Sequence, residues 1–418
     1  MQTEPTDSRS TSPKPMLGTN EDRLAFIGFA VVVLGLVAWT SRGPLAEKTD
    51  FSLIYTGTRI VYAGNGAKLY DLQQQKQVNA SLFTYPQPLL YEHPPFEALL
   101  LAPLATLPYR TAYLFWGLLN ACVWLALPLV LRPYAPVPKE MLGYLALWLL
   151  FAPLGVTLFQ GQTSLMLLAA FVLTFKQLKK GKTFKAGVWL GLGLFKFQFV
   201  VPFVLIFLLR RQWKFVKGFS CSASVLALLS LAAVGGKGIS SYIHLLLEIG
   251  NDPANVSYGA GVDMPTLQGF LYALLGHWVT SGITLLSAIL SFLFILLVAR
   301  SSAWTREADD SFDLMFAGAV AVSLMTGFHM FTHDFSPLIL ALVLVLAHFP
   351  PAEYTKLRLI IAVPLVVFWM PPIYFALVNW HCMYLMFPML MIFAMSAILR
   401  AGSLTESWRA EGRQLAAH

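Results

Sequence analysis

The chain has 418 residues, of which 57% are hydrophobic and 12% charged, with a net charge of +8. A soluble domain carries about 25% charged residues, so half that share excludes an ordinary soluble protein and reads as a polytopic, all-helical membrane protein. The basic residues fall in short loops, so the positive balance reflects a cytoplasmic-loop bias and calls for no nucleic-acid partner.

Taken in chain order, "MQTEPTDSRSTSPKPMLGTNEDR" (1–23) is polar and rich in Ser, Thr and Pro, the composition of a disordered cytoplasmic tail. It does not read as a cleavable signal, because the apolar run behind it is too long and lacks a small-residue cleavage site. Apolar runs then recur at membrane-crossing length. They give about twelve spans, several of them short: 24–42, 110–131, 141–159, 163–176, 184–195, 198–210, 217–235, 279–299, 312–330, 335–349, 358–377 and 382–400. With the N-terminus cytoplasmic, 21 of the 29 Lys and Arg residues fall inside and 8 outside, which supports that orientation. The reading is one transmembrane domain over 24–400 and a cytoplasmic tail over 401–418. Three cysteines (Cys122, Cys221, Cys382) lie in apolar segments with no metal or disulfide spacing, which points to packing.

One segment resists simple threading. "KAGVWLGLGLFKFQFVVPFVLIFLLRR" has basic loops at both ends, and a single crossing would put one basic cluster on the wrong side. A broken pair of short helices that enters and returns, turning near Lys196, satisfies both ends. The long outer segments are 43–109 and 236–278. In the first, "YPQPLLYEHPPFEALLLAPLATLP" is too Pro-rich for a normal span, and Pro94 and Pro95 suit the first turn of a short re-entrant or interfacial helix. The second contains "NDPANVSYGAGVDMPTLQG", with Asp263, either a lid or a connector. Asp309 and Asp310 begin a helix on the cytoplasmic side, where acidic groups favour the N-terminal dipole.

Ionisable residues at membrane depth cost roughly 2.5–3.5 kcal/mol each and ask for a reason. In this threading they gather on the outer face: Asp50, Glu92 and His93 in "YEHPPFE", Gln160 and Gln162 in "QGQTS", Lys196, and His329, His333 and Asp334 in "HMFTHD". The shared face points to a polar cavity open to the outside. Each residue also has a plainer reading. Asp50 fits the cap of a helix starting at Phe51 or Ser52. The Gln pair fits a tight outer turn, and Lys196 fits a side chain snorkelling to the interface. His329 and His333, four apart, fit one helix face and a metal pair, although no Glu follows His329 as in the zinc-protease pattern.

Five blocks in order, "DFSLIYTGTRIVYAGNGAKLYD", "HPPFEALLLAPLATLPYRTAYLFW", "GQTSLMLLA", "AGVWLGLGLFKFQFVVPFVLIFLLRRQW" and "HDFSPLIL", resemble glycosyltransferase family 87 over about residues 45–345. The resemblance implies the C-type glycosyltransferase fold, with a helical loop at the outer membrane surface, and a mannosyltransferase-like enzyme using a polyprenyl-phosphate sugar. It implies Asp50 as general base on the acceptor hydroxyl, and Lys196 with His329 or His333 on the donor phosphate. Glu92, His93, Gln160, Gln162 and Asp334 are expected to bind substrate. Attack on the anomeric carbon would invert it, moving a hexose to a cell-envelope glycolipid or glycan. No metal or other cofactor is expected: the leaving phosphate carries its own charge, and no outer-loop DxD pair is present. The expected location is the cell membrane, a bacterial inner membrane, with both termini cytoplasmic and the site on the periplasmic face. Two other classes compete. A transporter or flippase of lipid-linked sugars would show paired broken helices in two halves, of which the sequence suggests one, and a scaffold would need no one-sided ring of titratable groups.

Overall fold

The computed structural model describes residues 17–42, 44–83, 90–134, 139–251, 264–276, 282–305, 309–348 and 367–416. Among them every regular element is helical and none is a strand. Five helices are long and apolar enough to cross a membrane, or seven if each of two bent pairs counts as one span. The twelve expected spans are not reached among the described residues, and length is the reason. Crossing about 30 Å of hydrocarbon takes about 20 residues at 1.5 Å each, whereas Ser164–Lys179 and Asp310–Met325 have 16 and Leu338–Ala347 has 10. These shorter helices are enclosed by the others; every residue from Ser311 to Met325 is buried. Most of the expected span 358–377 lies outside the described residues.

Helix α1 (Asn20–Arg42) starts on a reciprocal cap. The Thr19 amide donates to Asp22 Oδ2 at 3.2 Å, and the Asp22 amide donates to Thr19 Oγ1 at 3.0 Å. Residues 20–23 thus belong to the first helix and not to the tail, of which 1–16 lie outside the described residues. The outer segment folds as α2 (Phe51–Tyr62), α3 (Leu72–Leu82) and α4 (Pro95–Leu100). Helix α4 opens at Pro95 with Pro94 as its cap residue, and a 3-10 turn, Ala102–Thr106, follows. Helix α5 (Tyr109–Leu131) runs back along α1, with Trp124 edge-on to Phe29 at 6.2 Å. The next span is bent by 54° between α6 (Met141–Leu150) and α7 (Ala152–Gln160), where Pro153 sits in the first turn after the break. The sequence reading had 141–159 as a single span, so the described residues hold two broken pairs where the sequence suggested one.

The second pair is α9 (Thr183–Gly191) and α10 (Phe197–Leu209), inclined at 59°. Helix α9 climbs beside α8 (Ser164–Lys179), where Thr174 Oγ1 donates to the Ala186 carbonyl at 3.2 Å. Helix α10 comes back down: its Phe203 ring meets Phe171 at 5.1 Å, Phe207 stacks on Phe215 at 4.1 Å, and Arg210 donates to the Ala299 carbonyl at 3.1 Å. Both ends of the pair therefore lie at one end of the bundle, with Lys196 at the turn, as the flanking basic loops require. That basic end also holds the Lys179–Asp313 ion pair, 2.7 Å, which ties α8 to α14 (Asp310–Met325).

Helix α11 (Trp213–Asn251) packs backbone to backbone on α9: a Cβ on Gly187 or on Gly218 would sit 2.0 Å from the carbonyl of Phe215 or Phe184. Small residues at a helix contact permit this approach. Gly235, at φ 64°, breaks α11 and redirects it. Residues 236–251, read from sequence as the start of a loop, are helical and lie over α4, with Tyr242 stacked on Tyr70 at 4.8 Å. Residues 252–263, including Asp263, lie outside the described residues. Helices α12 (Leu267–Leu275), α13 (Ile283–Arg300), α15 (Leu338–Ala347), α16 (Pro371–Asn379) and α17 (Met386–Ala416) complete the bundle. Helix α17 continues well past residue 401, where the sequence reading placed a tail. Cys122 and Cys221 are exposed on helix surfaces, so core packing is not their role.

Candidate active site

Six separate stretches of chain meet at the end of the bundle opposite the basic one. Asp50 immediately precedes α2, yet its carboxylate makes no cap bond to that helix. It accepts instead from Gln162 Nε2 at 2.8 Å, while its amide donates to Gln160 Oε1 at 3.2 Å. The local backbone explains the two glutamines. Gly161 ends α7 at φ 65°, and a Cβ there would lie 2.7 Å from Phe51 Cβ. Only glycine turns so tightly against α2, and the turn leaves a glutamine on each side of Asp50.

Lys196 occupies the break between α9 and α10 and is buried. Its Nζ lies 3.0 Å from Asp334 Oδ1, 3.3 Å from Gln162 Oε1 and 3.5 Å from His333 Nε2. Gln162 thus bridges Asp50 and Lys196, with its amide nitrogen on the acid and its oxygen on the base. His333 Nδ1 is 3.8 Å from Asp50 Oδ2, so the ring stands between the two charges. Asp334 is 0% exposed; it also accepts from Ser164 Oγ and from the Phe331 amide, each at 3.0 Å. The buried lysine is therefore neutralised inside the protein.

Eight of the nine residues singled out from the sequence line one cavity of about 310 Å³: Asp50, Glu92, His93, Gln160, Gln162, Lys196, His329 and His333. Asp334, expected to bind substrate, is not on its wall; its partners are internal and it fixes Lys196. His329 and His333 do not share a helix face. Helix α14 ends at Met325, His329 lies in the following loop, and His333 in a 3-10 turn, Thr332–Phe335. Among the described residues, the group with three ligand atoms close enough for a metal is Asp310, Asp313 and His348 at the basic end, where Lys179 already pairs with Asp313.

Glu92 is half-buried, and burial pushes its carboxyl up to about 7, opposed by the neighbouring His93. His93 Nδ1 lies 2.6 Å from Glu97 Oε2. Glu97 was missed from sequence because it sits in an apolar helix, "PFEALL"; the His–Glu spacing of four was the available signal. Also unforeseen are Gln198, Thr332 and Leu246, and the aromatic rings of Phe197 and Phe328, 5.8 Å apart, which line the cavity on the side of α10.

Among the described residues, an all-helical membrane bundle with a polar, carboxylate-bearing cavity at the end opposite its basic loops fits an enzyme acting at a membrane surface. The description of glycosyltransferase family 87 matches residues 91–328, more than half of the chain, and the chain belongs to glycosyltransferase family 87. It is a membrane glycosyltransferase. No curated protein and no solved structure matches it.

Proposed function

We propose that this glycosyltransferase moves a hexose, mannose by the family resemblance, from a polyprenyl-phosphate donor to a cell-envelope glycolipid or glycan, with inversion at the anomeric carbon. The observation that carries the reading is the Gln162 bridge, which holds an acid and a cation on one cavity wall. Asp50 takes the proton of the acceptor hydroxyl. The freed oxygen attacks the anomeric carbon, and the bond from that carbon to the phosphate oxygen breaks, its electron pair leaving with the phosphate. Lys196, a point charge beside the leaving group, offsets the growing negative charge. It can turn to phosphate by releasing Gln162 or His333, its two longer contacts. The grouping of basic helix ends opposite the cavity supports a periplasmic site with cytoplasmic termini in a bacterial inner membrane.

A donor that carries phosphate makes Glu92 informative. Below about pH 7 it is neutral; above, it adds a negative charge to the cavity. Wild type is therefore expected to show a donor KM that rises from pH 6 to pH 8 several-fold more than that of Glu92→Gln. Initial rates across that range check this, and a wild-type rise no larger than the variant's would remove Glu92 from donor binding.

The bend between α6 and α7, which adds a broken pair to the one read from sequence, favours the flippase reading to a degree the sequence did not. Reconstituted vesicles separate the two. With labelled polyprenyl-phosphate-mannose and acceptor on one side, a transferase forms a new glycosidic product there, whereas a flippase moves intact donor between leaflets without forming one.

A further inference from the structure

The ion pair between Lys196 and Asp334 leaves a question about the donor phosphate. An ammonium group has three N–H bonds, and Lys196 has three acceptors within 3.5 Å: Asp334, Gln162 and His333. A phosphate that reaches it must displace one of them. Another donor already aimed at the cavity would complete the site.

His93 meets that description. Its ring lines the cavity, and its position is fixed from three directions. Its carbonyl accepts from Tyr70 Oη at 2.7 Å, its ring lies against Tyr91 at 5.6 Å, and Nδ1 is 2.6 Å from Glu97 Oε2. Nε2 has no partner among the described residues. Glu97 is 4% exposed and its other oxygen, Oε1, is buried with no hydrogen bond among the described residues. A buried carboxylate is tolerated when it is paired, and His93 is the pairing group the described residues provide. His329 also faces the cavity, but no carboxylate fixes its ring in this way.

We propose that His93 is a second contact to the donor phosphate, donating its Nε2–H, and that Glu97 is the positioning residue that orients the ring and balances its charge. This rests on the lipid-phosphate donor proposed above. With a carboxylate on one side and a phosphate on the other, both ring nitrogens carry a proton and donate. As the sugar leaves and the phosphate gains charge, the Nε2 contact strengthens, as a charge-assisted hydrogen bond does. No proton need transfer, and the acceptor proton still goes to Asp50. The arrangement copies the logic of a carboxylate holding one imidazole nitrogen so that the other faces substrate.

The test is binding of a short-chain polyprenyl phosphate, the leaving group itself, by calorimetry on detergent-solubilised full-length protein, with the matching polyprenol as control. Wild type is expected to prefer the phosphate. His93→Ala is expected to weaken phosphate binding about tenfold or more and to leave polyprenol binding unchanged. Glu97→Gln, which is isosteric and still accepts from Nδ1–H, is expected to lose less than Glu97→Ala, and His93→Gln, which keeps a neutral donor, less than His93→Ala. A merely structural role would lower phosphate and polyprenol binding together. If wild type prefers the phosphate and His93→Ala and His93→Gln both bind it equally well, the proposal is overturned while the donor class stands. If wild type binds phosphate and polyprenol alike, the donor class fails and the role of His93 falls with it.

Discussion

Replacement of Asp50 by asparagine is expected to lower sugar transfer by at least about 10²-fold while leaving the fold intact. Removing a positioned general base costs about 10²- to 10⁴-fold. The carboxylate is 23% exposed on its side chain, open enough to meet an acceptor hydroxyl, yet it is oriented by Gln162 at 2.8 Å. Asparagine keeps the shape and can still hydrogen-bond to Gln162 after an amide turn, but it cannot take the proton. A structural role as helix cap would predict a different outcome: lost stability and normal turnover. No cap bond exists to lose, so the thermal midpoint of Asp50→Asn should match wild type. If kcat is unchanged, Asp50 is not the base, and Glu92 or His93 must be examined in its place.

The second large effect is on stability and concerns Lys196 and Asp334. Removing one partner of a buried ion pair typically costs about 3–5 kcal/mol, because the survivor is left charged and desolvated. Asp334→Ala should therefore lower the unfolding midpoint of the purified protein sharply, by more than any exposed substitution. It also orphans Ser164 Oγ and the Phe331 amide. The double variant Lys196→Met with Asp334→Leu replaces the pair by apolar groups and should recover much of the stability. It should not recover activity, since the cation is gone. A wild-type midpoint for Asp334→Ala would show that the pair does not hold this corner together, and a fully active double variant would remove Lys196 from the chemistry.

These residues also show what the sequence made legible. Charges that the bilayer disfavours had to face something polar, so Asp50, Lys196 and His333 could be put on one side of the membrane without knowing the fold. The turn at Lys196 was legible for the same reason: basic loops at both ends of one apolar segment disfavour a single crossing, which would put one basic cluster on the wrong side. The Pro94–Pro95 helix start follows from the fixed φ and missing amide of proline. Three features were hidden. Span number was hidden because hydropathy alone does not separate a membrane-crossing helix from a short apolar helix enclosed by others, and five to seven helices reach crossing length among the described residues. The course of α11 beyond Gly235 was hidden because "VGGKG" reads as a loop, while one left-handed glycine is enough to redirect a helix that then continues. The roles within the cluster were hidden because they are set by tertiary contacts. Nothing in "QGQTS" says that Gln162 joins Asp50 to Lys196, or in "HDFSP" that Asp334 turns inward and His333 toward the cavity.

The most direct test of the central claim is the reaction itself. Purified wild type would be given a short-chain β-linked polyprenyl-phosphate-mannose and a panel of glycolipid acceptors without added metal, and the product linkage read by NMR. The account predicts a new α-linked mannose on one acceptor, and none from a nucleotide-mannose donor. Transfer from the nucleotide sugar instead, or a β-linked product, would contradict it.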